Sequence, residues 1–240
     1  MSRLLYGPLG GPIEPFALFS PLSLSPFAWY DPSDLSTLFQ LSNGTTAVTA
    51  DGDPVGYMAD KSGNGRHLIQ ATADSRPAYK TSGGLHWLLC DGAADFLAVD
   101  HGALAQPVER LTAGLVEAFV LNTARVVGSV LLTLFTDSSS TLGIYSGVAA
   151  VTASYTYGQS FVSTERYDGA GSRLAIDNGS YSEGDIGAVG EDILTVAAQA
   201  AGDNLVNMRL HGLVQFDRLL TDPEIALLRT YLAAKQGRVL

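Results

Sequence analysis

From about Trp29 to Val214 the chain runs as short apolar or alternating stretches, each closed by a cluster of Gly, Asn, Asp or Ser. Alternation with turn residues at that spacing predicts antiparallel strands joined by loops of moderate length. The predicted strands are Trp87 to Cys90, Phe96 to Val99, Leu111 to Leu121, Val126 to Phe135, Leu142 to Tyr145, Ser172 to Ile176, Asp192 to Ala198 and Met208 to Phe216. No repeat of roughly 20 to 50 residues recurs, which argues against a solenoid or propeller. The end of the chain changes period. Thr221-Asp222-Pro223-Glu224 has the form of a capping box, and Pro223 sits in the first turn, where its missing donor costs nothing. Ile225, Leu228, Leu232 and Ala233 then recur at helical spacing, with Leu227 and Tyr231 alongside, and Gly237 stands where helices commonly stop. One helix, 222–236, is predicted to close an otherwise all-β chain.

The beginning follows a third pattern. Pro8, Pro12, Pro15, Pro21, Pro26 and Pro32 fall in the first 32 residues, where they remove backbone donors and disfavour helix or central strand. Residues 1–26 are expected to form an extended arm ahead of one domain, 27–240. The arm is apolar, and Leu4, Leu5, Phe16, Phe19 and Phe27 are its candidate docking side chains.

Composition narrows the classes. A chain of 240 residues with 46% apolar and 16% charged residues can bury a full core without disulfides, and the single Cys90 excludes an internal disulfide framework. A net charge of −10 has the wrong sign for binding nucleic acid or an anionic membrane. The most apolar stretch, Leu115 to Phe135, carries Glu117, Asn122 and Arg125, each costly inside a bilayer, so it reads as buried strands. Pro and Gly interrupt the first twelve residues before a signal-peptide core can form.

Several stretches carry a resemblance. Trp29-Tyr30-Asp31-Pro32-Ser33-Asp34-Leu35-Ser36, then Asp60-Lys61-Ser62-Gly63-Asn64-Gly65-Arg66-His67, Arg76-Pro77, Asp91-Gly92-Ala93-Ala94-Asp95-Phe96-Leu97 and Leu213 to Ile225 occur in this order. Together they resemble the concanavalin A-like lectin/glucanase superfamily, in the laminin-G-like form found in bacteriophage tail, spike and fibre proteins. The resemblance spans about residues 27–237. It implies a two-sheet antiparallel jelly-roll sandwich, and it implies less about function, because this sandwich carries lectins, hydrolases and structural modules.

The residues themselves bound the chemistry. Asp60 to Gly65 combines positive-φ residues with side chains that bond back to nearby amides, and reads first as a self-satisfied turn. Enzymes of the superfamily place Glu and Asp on one strand; the nearest candidates are Glu183 and Asp185, with Glu165, and the third carboxylate of that pattern is missing. No catalytic residue is therefore assigned. His67, His86, His101 and His211 are scattered, so no zinc site is expected. No cofactor is expected from the residues. The resemblance adds calcium as a minority candidate at Asp51, Asp53 and Asp60, where no complete Asp-x-Asp-x-Asp-Gly loop exists. Asn43-Gly44-Thr45 and Asn178-Gly179-Ser180 read as hairpin turns before they read as glycosylation acceptors.

Tyr155, Tyr157, Gln159, Arg166 and Tyr167 have the composition of a sugar site. The alternative, core packing of Tyr155, Tyr157 and Phe161, is the stronger reading of their alternation. The resemblance implies a non-enzymatic virion protein, made in the bacterial cytoplasm. Its arm would dock to other virion proteins and its sandwich would meet host-surface glycans, as an oligomer, typically a trimer. A decoration protein without ligand and a glycan-degrading enzyme are the two alternatives.

Overall fold

The computed structural model describes residues 19–118, 123–129, 131–137, 140–199 and 202–240. Seventeen strands follow in chain order. They are β1 (Ala28–Tyr30), β2 (Leu38–Phe39), β3 (Tyr57–Met58), β4 (Leu68–Ile69), β5 (Ala78–Ser82), β6 (Leu85–Asp91), β7 (Leu97–Leu104), β8 (Val108–Ala118), β9 (Thr123–Gly128), β10 (Thr133–Asp137), β11 (Thr141–Tyr145), β12 (Ala150–Ser154), β13 (Ser160–Tyr167), β14 (Arg173–Ile176), β15 (Ser182–Glu183), β16 (Glu191–Val196) and β17 (Asn207–Phe216). Helix α1 (Asp222–Ala234) ends the order. The first sheet runs β15-β14-β13-β8-β17-β6-β5, with β1 also on β17, and the second runs β12-β11-β10-β9-β16-β7-β4-β3-β2. Every pairing is antiparallel. The expected two-sheet sandwich with one C-terminal helix is what the chain forms.

Two apolar layers hold it. Between the sheets lies the main core, with Tyr30, Leu38, Met58, Leu88, Leu97, Val116, Leu134, Ile144, Phe161 and Leu194 among its buried members. The outer face of the first sheet is covered by α1: Leu111, Ala113, Val162, Val214 and Phe216 meet Ile225, Leu228, Leu232 and Ala233. Covering on both faces explains why β8 is buried without a break from Val108 through Val116, its polar Glu109, Arg110 and Thr112 included. Leu227, which the spacing placed alongside the buried stripe, is 48% exposed.

The helix starts as its sequence requires: the Glu224 carboxylate accepts from the Thr221 N–H at 2.7 Å and from its hydroxyl at 2.9 Å. Arg218 holds the same carboxylate at 2.7 Å and keeps Glu224 down at about 2. Regular helix stops at Ala234, two residues short of the expected end. Gly237 turns the chain at φ +68° while the Arg238 N–H reaches back to the Ala233 carbonyl at 3.0 Å.

Leu4, Leu5 and Phe16 lie outside the described residues. Phe19 packs edge-on against Tyr231, and Ser20 caps a single 3-10 turn, Pro21–Leu24. Phe27 is buried in the main core, so the chain is already seated on its own sandwich from Phe19 onward. Asp31 ties that segment to the helix, accepting from Tyr231 and Lys235 at 2.8 Å each. The run Val126 to Phe135, predicted as one strand, is two: β9 and β10 are joined by a tight turn in which the Ser129 hydroxyl accepts from the Leu131 and Leu132 amides at 3.3 and 3.1 Å.

A polar cluster sits inside the apolar layer. Arg110, fully buried, donates to Glu165 at 2.8 Å, to Glu191 at 3.1 Å, to Gln215 at 3.3 Å and to the Tyr167 hydroxyl at 2.7 Å. Glu165 also accepts from Thr112, Ser163 and Tyr167, and Glu191 from Gln215. Glu165 and Gln215 are the register partners of Arg110 on either side of β8, whereas Glu191 belongs to the opposite sheet. Arg110→Met should therefore destabilise the fold by about 3–5 kcal/mol, because it strands two buried carboxylates. Adding Glu165→Gln and Glu191→Gln should recover at least half of that loss in chemical denaturation. A neutral single variant would contradict the assignment.

A second prediction concerns pH. Burial beside Asp91 pushes Asp95 up from 3.8 to about 6, while burial beside Arg209 pulls His211 down from 6.5 to about 4. The folded chain keeps a proton on Asp95 that the unfolded chain releases, so this contribution to stability falls as pH rises from about 4 to 6. His211 acts oppositely over nearly the same window. Two pK units correspond to roughly 3 kcal/mol, and the half-exposed setting of Asp95 screens this to about 1 kcal/mol. Asp95→Asn should match the native chain in thermal unfolding at pH 4 and exceed it at pH 7. A gap independent of pH would refute the linkage.

Candidate functional site

The strands β9, β10, β11 and β12 form one end of the second sheet, and their two faces differ. Ala124, Val126, Leu134, Leu142, Ile144 and Val151 enter the main core. Their neighbours Arg125, Phe135, Gly143, Tyr145 and Ala150 therefore stand on the outer face, since successive residues of a strand alternate. The register sets Phe135 between Arg125 on β9 and Gly143 on β11, with Tyr145 opposite Ala150 one strand further. A register shift between Leu134 and Phe135 helps to place the ring there.

These residues enclose a cavity of about 420 Å³, lined by Thr123, Arg125, Leu131, Phe135, Tyr145, Ala150 and Gln199. Phe135, 8% exposed, is its floor. The far end of the ring lies over Gly143, where a Cβ would run into it. The Arg125 guanidinium is 5.8 Å from the ring centroid. Burial pushes Arg125 below the usual arginine range, and the nearby Tyr145 and Tyr167 offset this in part. An aromatic floor, a tyrosine, an amide, a hydroxyl and a cation in one open concavity can hold a ring by its flat face and satisfy its hydroxyls.

The neighbouring cavity is larger, about 470 Å³, and shares Leu131 as a ridge. Its lining is mainly Ala103, Leu104, Ala105, Leu131 and Val189, and both oxygens of its Glu191 are already held by Arg110 and Gln215. It offers less directional chemistry than the pocket over Phe135.

The residues singled out from sequence are dispersed. Tyr155 is buried, its hydroxyl accepting from the Val116 amide at 2.9 Å and donating to the Gln159 carbonyl at 2.7 Å. Tyr157 packs against the main core and shares a hydrogen bond with Thr136. Tyr167 belongs to the Arg110 cluster, and Arg166, next along β13 and on its other face, pairs with Glu109 at 3.0 Å. Tyr155 and Gln159 do line one small cavity of about 210 Å³ with Asp177. The structure does not bring the five together on one surface.

The carboxylates proposed for calcium are engaged locally. Asp51 pairs with Lys80 at 2.5 Å and Asp53 accepts the Thr49 and Ala50 amides at 2.8 and 2.9 Å. Asp60 accepts from the amides of Ser62 and Arg66, as the turn reading expects, and also from the amide of Trp29, which the turn alone did not predict. Among the described residues, no group of three or more His, Cys, Asp or Glu is placed to hold a metal ion. Of the carboxylates considered for hydrolysis, Glu165 is locked beneath Arg110, while Glu183 and Asp185 are exposed at the sheet edge, Asp185 accepting from the Gly187 amide at 2.9 Å.

Arg125, Phe135 and Tyr145 were not picked out from sequence. Gly128-Ser129 within the apolar run was the available signal: a hairpin there makes Arg125 and Phe135 cross-strand neighbours.

No protein-family model matches the chain, and no curated protein matches it in sequence. Solved structures match its fold. Trypanosoma rangeli sialidase in complex with the inhibitor DANA is 12% identical with a TM-score of 0.58, over 88% of this chain and 33% of that one. The botulinum neurotoxin type G receptor binding domain is 9% identical with a TM-score of 0.57, over 77% of this chain and 52% of that one. A botulinum neurotoxin type C structure, described as entering cells through two ganglioside molecules, is 12% identical with a TM-score of 0.55, over 73% and 48%. The chain thus matches about a third of the sialidase and about half of each toxin structure. At these identities the likeness concerns the sandwich fold.

The seat of the ring is testable. Gly143→Ala should push the Phe135 ring off β11 and into the open pocket, at a cost of about 1 kcal/mol, the low end of overpacking because the ring has room to move. Thermal unfolding measures the cost. A loss above 3 kcal/mol would mean that the ring has no room above it.

Proposed function

We propose that this chain is a glycan-binding module that holds a saccharide in the pocket over Phe135. The observation that carries the reading is the outer face of β9 to β12. There an aromatic floor over a glycine, Tyr145, Gln199 and Arg125 line one sugar-sized concavity. Among the described residues lining it there is no carboxylate, which favours holding a sugar over cleaving one. The glycan-related names among the solved neighbours, sialidase and ganglioside-dependent toxin, agree with this reading.

The virion role implied by the motif resemblance belongs to the same proposal. The apolar segment 1–18 attaches the chain to a phage particle, and the sandwich faces outward to host glycans. From Phe19 onward the described chain is seated on its own sandwich, so removal of residues 1–26 would also take Phe19, Pro21 and Leu24 from it.

The full chain on an array of bacterial surface oligosaccharides should bind a subset, with affinities in the weak range common to single sugar sites. Tyr145→Ala and Gly143→Ala should each reduce that binding about tenfold or more, while Gln159→Ala, at the small cavity beside Tyr155, should leave it unchanged. Circular dichroism checks that each variant is folded. Absence of binding by the native chain, or binding lost only in Gln159→Ala, would overturn the proposal.

A further inference from the structure

We propose that the saccharide is acidic, and that the pocket over Phe135 takes its carboxylate on Arg125. This rests on the glycan-binding reading and adds the charge of the ligand to it. The argument starts from how the chain treats its other arginines. Arg110, Arg166, Arg173, Arg209, Arg218 and Arg238 each pair with a carboxylate. Arg66 and Arg76 donate to backbone carbonyls, and Arg229 donates to the Thr164 hydroxyl. Arg125 is the described arginine whose guanidinium has neither. Its Nε is buried without a hydrogen-bond partner, and its ring contact is to Phe135.

Leaving that Nε bare is a cost to the free protein, although the Arg125 side chain as a whole is only partly buried. A guanidinium withdrawn from water loses hydration that an ion pair or hydrogen bonds must replace. A chain with 24 acidic residues against 14 basic ones has many carboxylates with which to supply a partner, yet none among the described residues reaches Arg125. An anion from outside would complete the group in a setting where charge–charge attraction is strengthened by partial burial. The fork of an arginine matches a planar carboxylate with two parallel hydrogen bonds. One positive charge balances one carboxylate, whereas a phosphate monoester would leave excess negative charge in a protein that already carries −10. The flat face of Phe135 beside the guanidinium then orients the sugar ring that bears the carboxylate.

The experiment uses the full chain and a matched pair of probes: uronic-acid oligosaccharides, and the same oligosaccharides after chemical reduction of the carboxyl to a hydroxymethyl group. A sugar phosphate series forms the third arm. Calorimetric titration of the native chain should show at least tenfold tighter binding of the acidic series, weakening as sodium chloride is raised. Arg125→Gln should lose that preference and keep the residual affinity for the reduced series, and Arg125→Lys should retain part of the preference. Arg125→Met, free of ligand, should melt no lower than the native chain, because the charge has no partner to lose.

Four outcomes overturn the inference. Equal binding of acidic and reduced probes removes the charge preference while leaving the glycan reading intact. A preference for the phosphate series replaces carboxylate with another anion. An acidic preference that survives in Arg125→Gln moves the contact elsewhere. A marked fall in melting temperature for Arg125→Met makes Arg125 structural. If no probe and no array glycan binds, the glycan reading fails first and this inference falls with it.

Discussion

The fold turns on one buried cation. Arg110 stands on the central strand β8 with its side chain inside the sandwich, where a charge is tolerated only when paired and fully hydrogen-bonded. It is satisfied by Glu165 from β13, Gln215 from β17 and Glu191 from β16. Two of these lie on neighbours in its own sheet and the third on the facing sheet. Apolar side chains can slide past one another at little cost, but a guanidinium fork cannot. The cluster therefore sets how the two sheets lie over each other, whereas the surrounding Leu, Val and Ile side chains supply most of the area removed from water.

That constraint reaches the outer face of the second sheet. Glu191 opens β16, β16 pairs with β9 through Thr195 and Val196, and β9 leads into the β9–β10 hairpin. Gly128, at the entrance to the hairpin, takes φ +124°. A side chain there would strike the Leu132 carbonyl and press on the Arg110 guanidinium. One glycine thus serves the buried cluster on one side and the turn that brings Arg125 across from Phe135 on the other. The strand residues of the pocket inherit their placement from the core, while Leu131 and Gln199 reach it from the connections beside them.

The sequence makes elements legible where a local rule has one physical cause. The Thr221–Glu224 box, the stop at Gly237 and most of the turn around Asp60 are satisfied within a few residues, so their chemistry can be read from spacing alone; the bond from the Trp29 amide to Asp60 could not be. The alternating strands and the sandwich they form were legible for the same reason. The Arg110 cluster was not, since the partners of Arg110 lie 55 to 105 residues away from it and each reads in isolation as an ordinary polar position. Tyr167 illustrates the failure. Beside Arg166 it has the composition of a sugar site, yet adjacent strand residues face opposite ways, and the two never share a surface. The pocket residues were missed because Val126 to Phe135 was read as one strand, which separates Arg125 and Phe135 along a line instead of pairing them.

Two arginines separated by only 15 positions frame what the structure means for function. Arg110 is fully buried and Arg125 partly so, and both lie against an aromatic ring, Arg110 near Tyr167 and Arg125 near Phe135. Arg110 is closed in by partners from three other strands, and with those bonds made it has nothing left to offer a ligand. Arg125 keeps a buried donor without an acceptor at the wall of an open pocket. The same fold that invests a network of side chains in satisfying one cation leaves the other unsatisfied. Charge burial is penalised in proportion to its depth, deepest at Arg110 and partial at Arg125, and what completes each group differs too: the chain itself in the core, and an arriving ligand at the surface.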